Sequence, residues 1–505
     1  MIIQTQNLDL TKLTPNEVHQ LYCGLDNCVT SECIEEEYKL LQSNTNPRPQ
    51  ASLIYSFERA LQGPYLEIML RGFKVDTQAR DAAIADLKSR IHRLQYNLNQ
   101  IVNRSGLAIH PINPNSRPQL IQLFYECLKF KEIYTSKKGI KSLSLDRHTL
   151  ESLYEKYQSA QPLVSHILSI RDLSKQLQVL TTDIDSDGRF RSSYNIGGTS
   201  TGRPSSSESA FGSGGNAQNI AAHLRHVFIP DPGYKLCTID FEQSEARDIG
   251  FLIGCLFSDW TYLDSCESGD VHTSNARLIW PHLPWTGDLT EDKQIASRKF
   301  HREFSHRDMA KRGSHLTNYM GTAWTMARHL KIPTRVAEQF QDAYCRGPSA
   351  AFPSIPLYWQ WVIQEIQTNY KIVTPFGRER HFFGDLRSDA TFREAIAFIP
   401  QSTTSDRTNL GLWRVWKNMP QVQLLAQGYD SITFQAPDDA HFNETVREAT
   451  HHLTTHLTDP QSNRSYTVPV EAKTGYNWGS GLKHTTLSEG DRPCHAQWPL
   501  DGPNR

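Results

Sequence analysis

The sequence predicts a multidomain α/β protein of the α+β kind, and three observations carry that prediction. At 505 residues, and roughly 150 residues per domain, the chain allows about three units or one large multi-lobed enzyme. Strand-like runs are few, at Tyr234–Asp240, Lys371–Thr374 and Leu424–Ala436, and long stretches with helical spacing separate them. The last run folds back on itself at Gly428–Asp430, which reads as a tight antiparallel hairpin. No repeat recurs at any period from roughly 20 to 50 residues, which excludes solenoids and propellers.

In chain order, Thr14 with Pro15 and Glu17 is a helix-start signal, and the helical segment runs through Glu32–Leu41. Ser43–Gln50 (SNTNPRPQ) is a linker by composition. Amphipathic helical spacing follows from Ala51 to about Leu180, interrupted by a basic loop at Lys129–Lys141 that holds five Lys and one Glu. Gly188–Gly215 starts strand-like (GRFRSSYN) and continues as a loop rich in Gly, Ser and Thr. Tyr234–Asp240 (YKLCTID) is a short strand, Phe241–Phe340 is mainly helical, and the tail beyond Gly479 has no periodicity.

Composition excludes several classes. The chain has 53 Lys+Arg against 54 Asp+Glu, a formal charge of −1, with 20 His besides. That excludes a uniformly basic nucleic-acid binder but not a protein that gathers its basic residues in a cleft. With 38% hydrophobic and 21% charged residues, the chain builds ordinary cores and is not disordered throughout. The longest uncharged apolar run, near Ile249–Phe257, falls well short of the ~20 residues of a membrane span. Met1–Leu10 has no basic segment ahead of an apolar one, so no secretory signal is expected. Nine Cys, with neither Cys-x-x-Cys pairs nor His at zinc spacing, read as free thiols in a reducing cytoplasm.

Two aspartates are candidate metal ligands. Asp240 ends a strand where a helix begins, and Asp430 lies in the hairpin turn. Carboxylates so placed can share a pair of Mg²⁺ ions, the arrangement that phosphoryl transfer needs. A turn aspartate is ordinarily only a turn residue. The third element is Arg298–Leu330. On a helix, Arg307, Lys311, His315 and Tyr319 recur every four residues and form a drifting stripe, cationic at its start and aromatic at its end. That stripe suits a triphosphate lying along the helix with a base stacked at the far end, although a basic helix is ordinarily a solvated face.

In this order the elements resemble the family A DNA polymerases, the bacterial DNA polymerase I class. Asp240-Phe-Glu-Gln-Ser-Glu245-Ala-Arg247 resembles the first palm motif, and Gly428-Tyr-Asp430-Ser the second. Arg307-x3-Lys311-x3-His315-x3-Tyr319 resembles the fingers-helix motif, and Gly269-Asp-Val-His272-Thr its D-x-H-T companion. Thr199-Ser-Thr-Gly-Arg203 with Gln218-Asn219-Ile220, then Thr374-Pro-Phe-Gly-Arg378-Glu-Arg380, then Arg393…Gln401-Ser-Thr-Thr-Ser-Asp406 match further segments in the family's order. The resemblance covers roughly residues 50 to 480.

It implies a right-hand polymerase fold with an antiparallel palm sheet and helical fingers and thumb. The thumb would span residues 46–180, the palm 181–249 and 346–480, the fingers 250–345, and a flexible tail 481–505. Asp240, Asp430 and the backbone of Phe241 would hold two Mg²⁺ ions. Lys311, Arg307 and His272 would neutralise the triphosphate of an incoming dNTP, with His315, Tyr319 and Gln243 also at the nucleotide. Glu245 beside Tyr319 would exclude a ribose 2′-hydroxyl. Arg203, Gln218, Asn219, Arg247, Arg393 and Gln401 would contact primer–template DNA, and Lys137 and Lys138 would grip duplex phosphates. Several positions depart from the family's pattern. They are His315 for Phe or Tyr, Tyr429 and Ser431 for His and Glu, Met320 ahead of Gly321, and the spacing at Pro400-Gln401.

Tyr22-x3-Asp26 with Thr30 resembles the last motif of the family's 3′–5′ exonuclease. Residues 1–45 then read as a remnant of that domain, in a polymerase without its own proofreading, which a separately encoded exonuclease could supply. A chance match on an amphipathic helix stays open. The pattern suggests a phage or mobile-element replicase acting in the host cytoplasm. Two other readings remain: a catalytically weak DNA-binding replication subunit that kept the fold, and a single-subunit RNA polymerase, which Glu245 disfavours.

Overall fold

The computed structural model describes residues 13–42, 49–104, 111–137, 140–301, 304–479 and 481–484. A five-stranded antiparallel sheet lies at its centre, in the order Gln423–Gly428, Ser431–Pro437, Tyr234–Phe241, Val470–Gly475, Lys483–His484. Side chains alternate across such a sheet. Cys237, Ile239 and Phe241 therefore join Ile432 and Phe434 in one core, together with Leu61 and Tyr65 of the helix Pro49–Arg71 and Leu410 and Val415 of the helix Asp389–Asn418. On the other side Leu236, Leu425 and Ala426 pack with Phe73, Phe228 and Trp478.

Two more cores stand away from the sheet. One unites Leu98, Phe124, Leu150 and Ile167 in the helical lobe that rises from the helix Thr77–Arg104. The other runs from Ile249 to Ile399 and holds the candidate fingers. Tyr358, Val362 and Ile396 belong to this core, so the expected fingers–palm division at residue 346 cuts through continuous packing. The same holds at the thumb boundary, because Phe57, Leu61 and Tyr65 pack on the central sheet. The 30-residue helix Asp389–Asn418 explains the shared boundary: it has one end in each core, about 45 Å apart at 1.5 Å per residue.

Local details depart from the linear reading where the periodic signal is short. The basic segment Lys129–Lys141 is not all loop. Tyr134–Lys137 pairs with Ile140–Leu143 as a hairpin, and four-residue strands without apolar alternation carry too little period-2 signal to be read. Lys138 lies outside the described residues. The stretch Arg298–Leu330 is not one helix either: Lys299–His301 pairs with Phe304–Ser305, and a turn after Asn318 separates two helices. Residues 15–42 form a single helix, with Thr14 and Glu17 exchanging capping hydrogen bonds and Tyr22 63% exposed. Most of the tail, residues 485–505, lies outside the described residues. No helix among those described is long and apolar enough to cross a membrane.

Candidate active site

Asp240 stands at the end of the central strand, opposite Ser431 on one neighbour and Glu471 on the other. Gly428 pairs directly with Ser431, so the hairpin turns in two residues, Tyr429 and Asp430. Tyr429 takes φ 52°, a left-handed value that two-residue hairpin turns demand and that few side chains adopt without strain. The Phe241 N–H donates to the Asp430 carbonyl at 2.9 Å. That bond fastens the hairpin tip to the strand end and brings the two aspartates together.

Burial lifts the Asp240 carboxyl to about 7, and Asp430 and Glu471 push it the same way against Lys473 and Arg225. Burial also raises Asp430, with Glu245 adding to the effect and Arg203 opposing it. Lys473 is itself paired with Glu471 at 2.6 Å, so the two aspartates are poorly compensated. Hard oxygen donors in need of counter-charge fit Mg²⁺, which takes one or two carboxylates and fills its remaining positions with water and phosphate oxygens. Among the described residues no group of three or more His, Cys, Asp or Glu could hold a metal, so further ligands would have to come from substrate and solvent. The Phe241 side chain is buried in the core, which leaves its carbonyl as the available donor.

The helix His306–Asn318 faces this pair across a cleft. Ser305 and Asp308 close its start as a capping box. Arg307 is held by Asp270 through two hydrogen bonds of 3.0 and 3.1 Å. Asp270 also accepts from the Thr273 hydroxyl at 2.9 Å and caps the helix Val271–Ile279. Burial, with Arg307 and Lys311 nearby, lowers His272 to about 4, so it stays neutral at ordinary pH. The far end of the helix is fixed through Asn318, which donates to Tyr262 and accepts from Tyr344, each at 2.8 Å. Met320 fits after it as a left-handed residue, φ 58°. Gly321 is required next, because a Cβ there would lie 2.7 Å from the Leu316 carbonyl oxygen.

Glu245 joins the two sides. One carboxylate oxygen accepts from the Tyr319 hydroxyl and the other from Arg203, and the Arg203 guanidinium also lies over the Tyr429 ring. Around these groups is a cleft of about 450 Å³ lined by Gln243, Glu245, His272, Lys311, His315 and Asp430, among others. Gln243 Oε1 and His272 Nδ1 are buried there without a hydrogen-bond partner among the described residues, so the cleft has unspent polar groups for a ligand. Asp240 lines an adjoining cleft of about 200 Å³ with Gln218, Arg225 and Tyr429, and Asp430 borders both.

Residues 79–480 match the model of DNA polymerase family A. The chain belongs to that family. Among curated family A relatives, the thermostable DNA polymerase I of Thermus filiformis is 26% identical, over 86% of this chain and 50% of its own length. That of Thermus aquaticus is 25% identical, over 76% and 43%. The chain thus spans about half the length of the curated relatives it matches. Among solved structures, the POL domain of Pol1 from M. smegmatis, in complex with DNA primer-template and dNTP, superposes with a TM-score of 0.63 at 21% identity, over 83% of this chain and 70% of that one. The right-hand polymerase fold of family A is therefore the fold of this chain.

Gln218 donates to the Gln427 carbonyl at 3.2 Å and to its side chain at 3.1 Å, and Gln427 donates to Tyr429 O, so Gln218 braces the hairpin. Asn219 is exposed beside it. Gln401 is half-buried and Arg393 half-exposed on the long helix, with Arg393 3.9 Å from Asp389. Lys137 lies on the hairpin formed by Tyr134–Lys137 and Ile140–Leu143. Arg247 is a correction to the expected DNA contacts: it is only 5% exposed, because its helix turns that face into the fold. Asp270 was marked only as the acid of the D-x-H-T motif, with no role of its own, and sequence reasoning passed over Gln427 and Arg225; Arg225 carries no local signal.

Proposed function

We propose that this chain is a template-directed DNA polymerase that adds dNTPs to a primer 3′ end by two-metal phosphoryl transfer. Asp430 carries the reading, because it borders both the cleft that suits a nucleotide and the one that suits a primer end. Asp240 and Asp430, with the Phe241 carbonyl, would hold two Mg²⁺ ions. Bound there, Mg²⁺ lowers the pKa of the primer hydroxyl and offsets charge on the departing pyrophosphate. Lys311 and Arg307 neutralise phosphates, and neutral His272 donates a hydrogen bond to them. In phosphoryl transfer the protein contributes mainly such positioning and electrostatics. Arg203, Gln218, Asn219, Gln401 and Arg393 would touch the duplex near the primer end, where minor-groove acceptors allow pairing to be checked without reading sequence.

Primer extension with Mg²⁺ tests the reading: the wild type extends with dNTPs and Asp430→Ala does not. A wild type that binds the duplex but extends nothing would favour the DNA-binding subunit instead. We propose that this chain does not proofread by itself; Asp26, the carboxylate of its exonuclease-like motif, is exposed on its helix. Without dNTPs, a mismatched primer end should then keep its length.

Sugar choice follows from the Glu245–Tyr319 bond. Both groups press on the space where a 2′-hydroxyl would sit, so Glu245→Ala should raise ribonucleotide incorporation relative to deoxyribonucleotide by about tenfold or more, the scale of one lost steric or polar discrimination. Competition between dNTP and rNTP at a single template position measures it. An unchanged ratio would move the discrimination to Tyr319 alone.

A further inference from the structure

The smaller cleft contains a cation that the reading above does not use. Arg225 lies on the tight helical turn Ala222–Val227 and lines this cleft with Asp240, Gln218, Tyr429 and Trp478. Its guanidinium stacks on Trp478 at 4.5 Å, and Trp478 stacks in turn on Phe73 at 4.6 Å. The Arg225 Nε donates to the Ile220 carbonyl at 3.1 Å. Among the described residues no protein acceptor takes its terminal Nη groups.

The turn cannot easily move. The Trp478 backbone N–H donates to the Phe228 carbonyl at 2.9 Å, and Gly479 comes so near that a Cβ there would lie 2.7 Å from the His226 backbone nitrogen. A stacked guanidinium with one nitrogen tied and two free is pre-organised for an oxyanion, since its planar fork matches phosphate geometry and little rotamer freedom remains to be lost. Asp240 does not satisfy it by a direct bond, although the two attract through space.

We infer that Arg225 is a phosphate-binding residue that grips one of the last phosphodiesters of the primer strand and so holds the primer end against Asp240. This rests on the polymerase reading, which places the primer end in this cleft and the nucleotide in the larger one. A free nucleotide triphosphate fits less well. Its phosphates would meet Lys311 and His272 in the other cleft, and Arg225 lines only the smaller one.

The test pairs the side chain with the phosphate. Primers carry a single neutral methylphosphonate linkage at each of the last three internucleotide positions. They are given to the wild type, Arg225→Met and Arg225→Lys, and both primer–template affinity by fluorescence anisotropy and single-nucleotide addition are measured. One linkage position should weaken the wild type by about tenfold, the scale of one hydrogen bond to a charged group. Arg225→Met should show that loss already on the natural primer, with less than about a twofold further change at the same linkage. Arg225→Lys, which keeps the charge but not the fork, should fall between. Equal losses in wild type and Arg225→Met at every linkage would overturn the assignment and leave Arg225 as a structural counter-charge to Asp240. Thermal melting checks that the variants fold, and Arg225→Gln repeats the comparison if the Met variant does not. Failure of the wild type to extend any primer would sink the polymerase reading, while the anisotropy series would still decide Arg225.

Discussion

Asp240→Asn is expected to lower nucleotide addition by on the order of 10²–10³-fold or more, the loss seen when one group that stabilises developing charge is removed. Primer–template affinity should stay within a few-fold. The isosteric amide keeps the strand end and its pairing with Ser431 and Glu471 but cannot supply an anionic oxygen. Parallel loss of DNA binding would mean that Asp240 is structural.

Its raised pKa adds a pH signature. The carboxyl sits near 7 rather than at 3.8, so the metal-free folded state holds a proton that the unfolded state has released. Between about pH 4 and 7 this group's contribution to stability therefore falls as pH rises. Mg²⁺ must displace that proton below about pH 7, so its apparent affinity should weaken by up to about tenfold per pH unit on the acid side and level off above. Magnesium should accordingly raise the melting temperature at pH 8 far more than at pH 5.5, and Asp240→Asn should flatten the difference. A metal effect independent of pH in the wild type would argue against Asp240 as the titrating ligand.

The largest stability effect is expected away from the chemistry, at Arg407 and Asp248. Arg407 is fully buried, and its guanidinium donates to Asp248 at 2.6 and 3.1 Å, to Ser244 at 2.7 Å and to Tyr466 at 2.7 Å. Tyr466 also donates to Asp248. This knot ties the helix that follows Asp240 to the long helix Asp389–Asn418. Removing one partner strands the other charge in the interior, so Asp248→Ala should destabilise the protein by about 3–5 kcal/mol. Arg407→Met should cost less, because the remaining carboxylate can take up a proton. The double variant Asp248→Leu with Arg407→Met should recover much of the loss, since an apolar pair of similar volume can replace a buried ion pair. Chemical denaturation of the three variants checks the order. If Asp248→Ala costs under about 1 kcal/mol, the knot is no more than an ordinary exposed pair.

Much of this protein was legible in one dimension because the informative signals are local. Thr14 and Glu17 announce a helix start within four residues, Gly428 marks its hairpin, and the stripe from Arg307 to His315 needs only the helical period. The ordered motifs also identified the family, since a polymerase keeps its chemistry in short segments. Short strands escaped for the opposite reason: Tyr134–Lys137 and Ile140–Leu143 are too brief to alternate. The tertiary structure decided what spacing could not. Asp240 and Asp430 are 190 residues apart and meet only because the strand register sets Ser431 opposite Asp240. Arg247 looked like a DNA contact, yet packing turns its helix face inward. Arg225 had no motif at all and acquires a role from Trp478, which is 253 residues away. A residue's type and its neighbours in sequence set what it can do chemically and which element it favours. Which distant groups it meets depends on how the elements pack, and that is settled by burial summed over the whole fold.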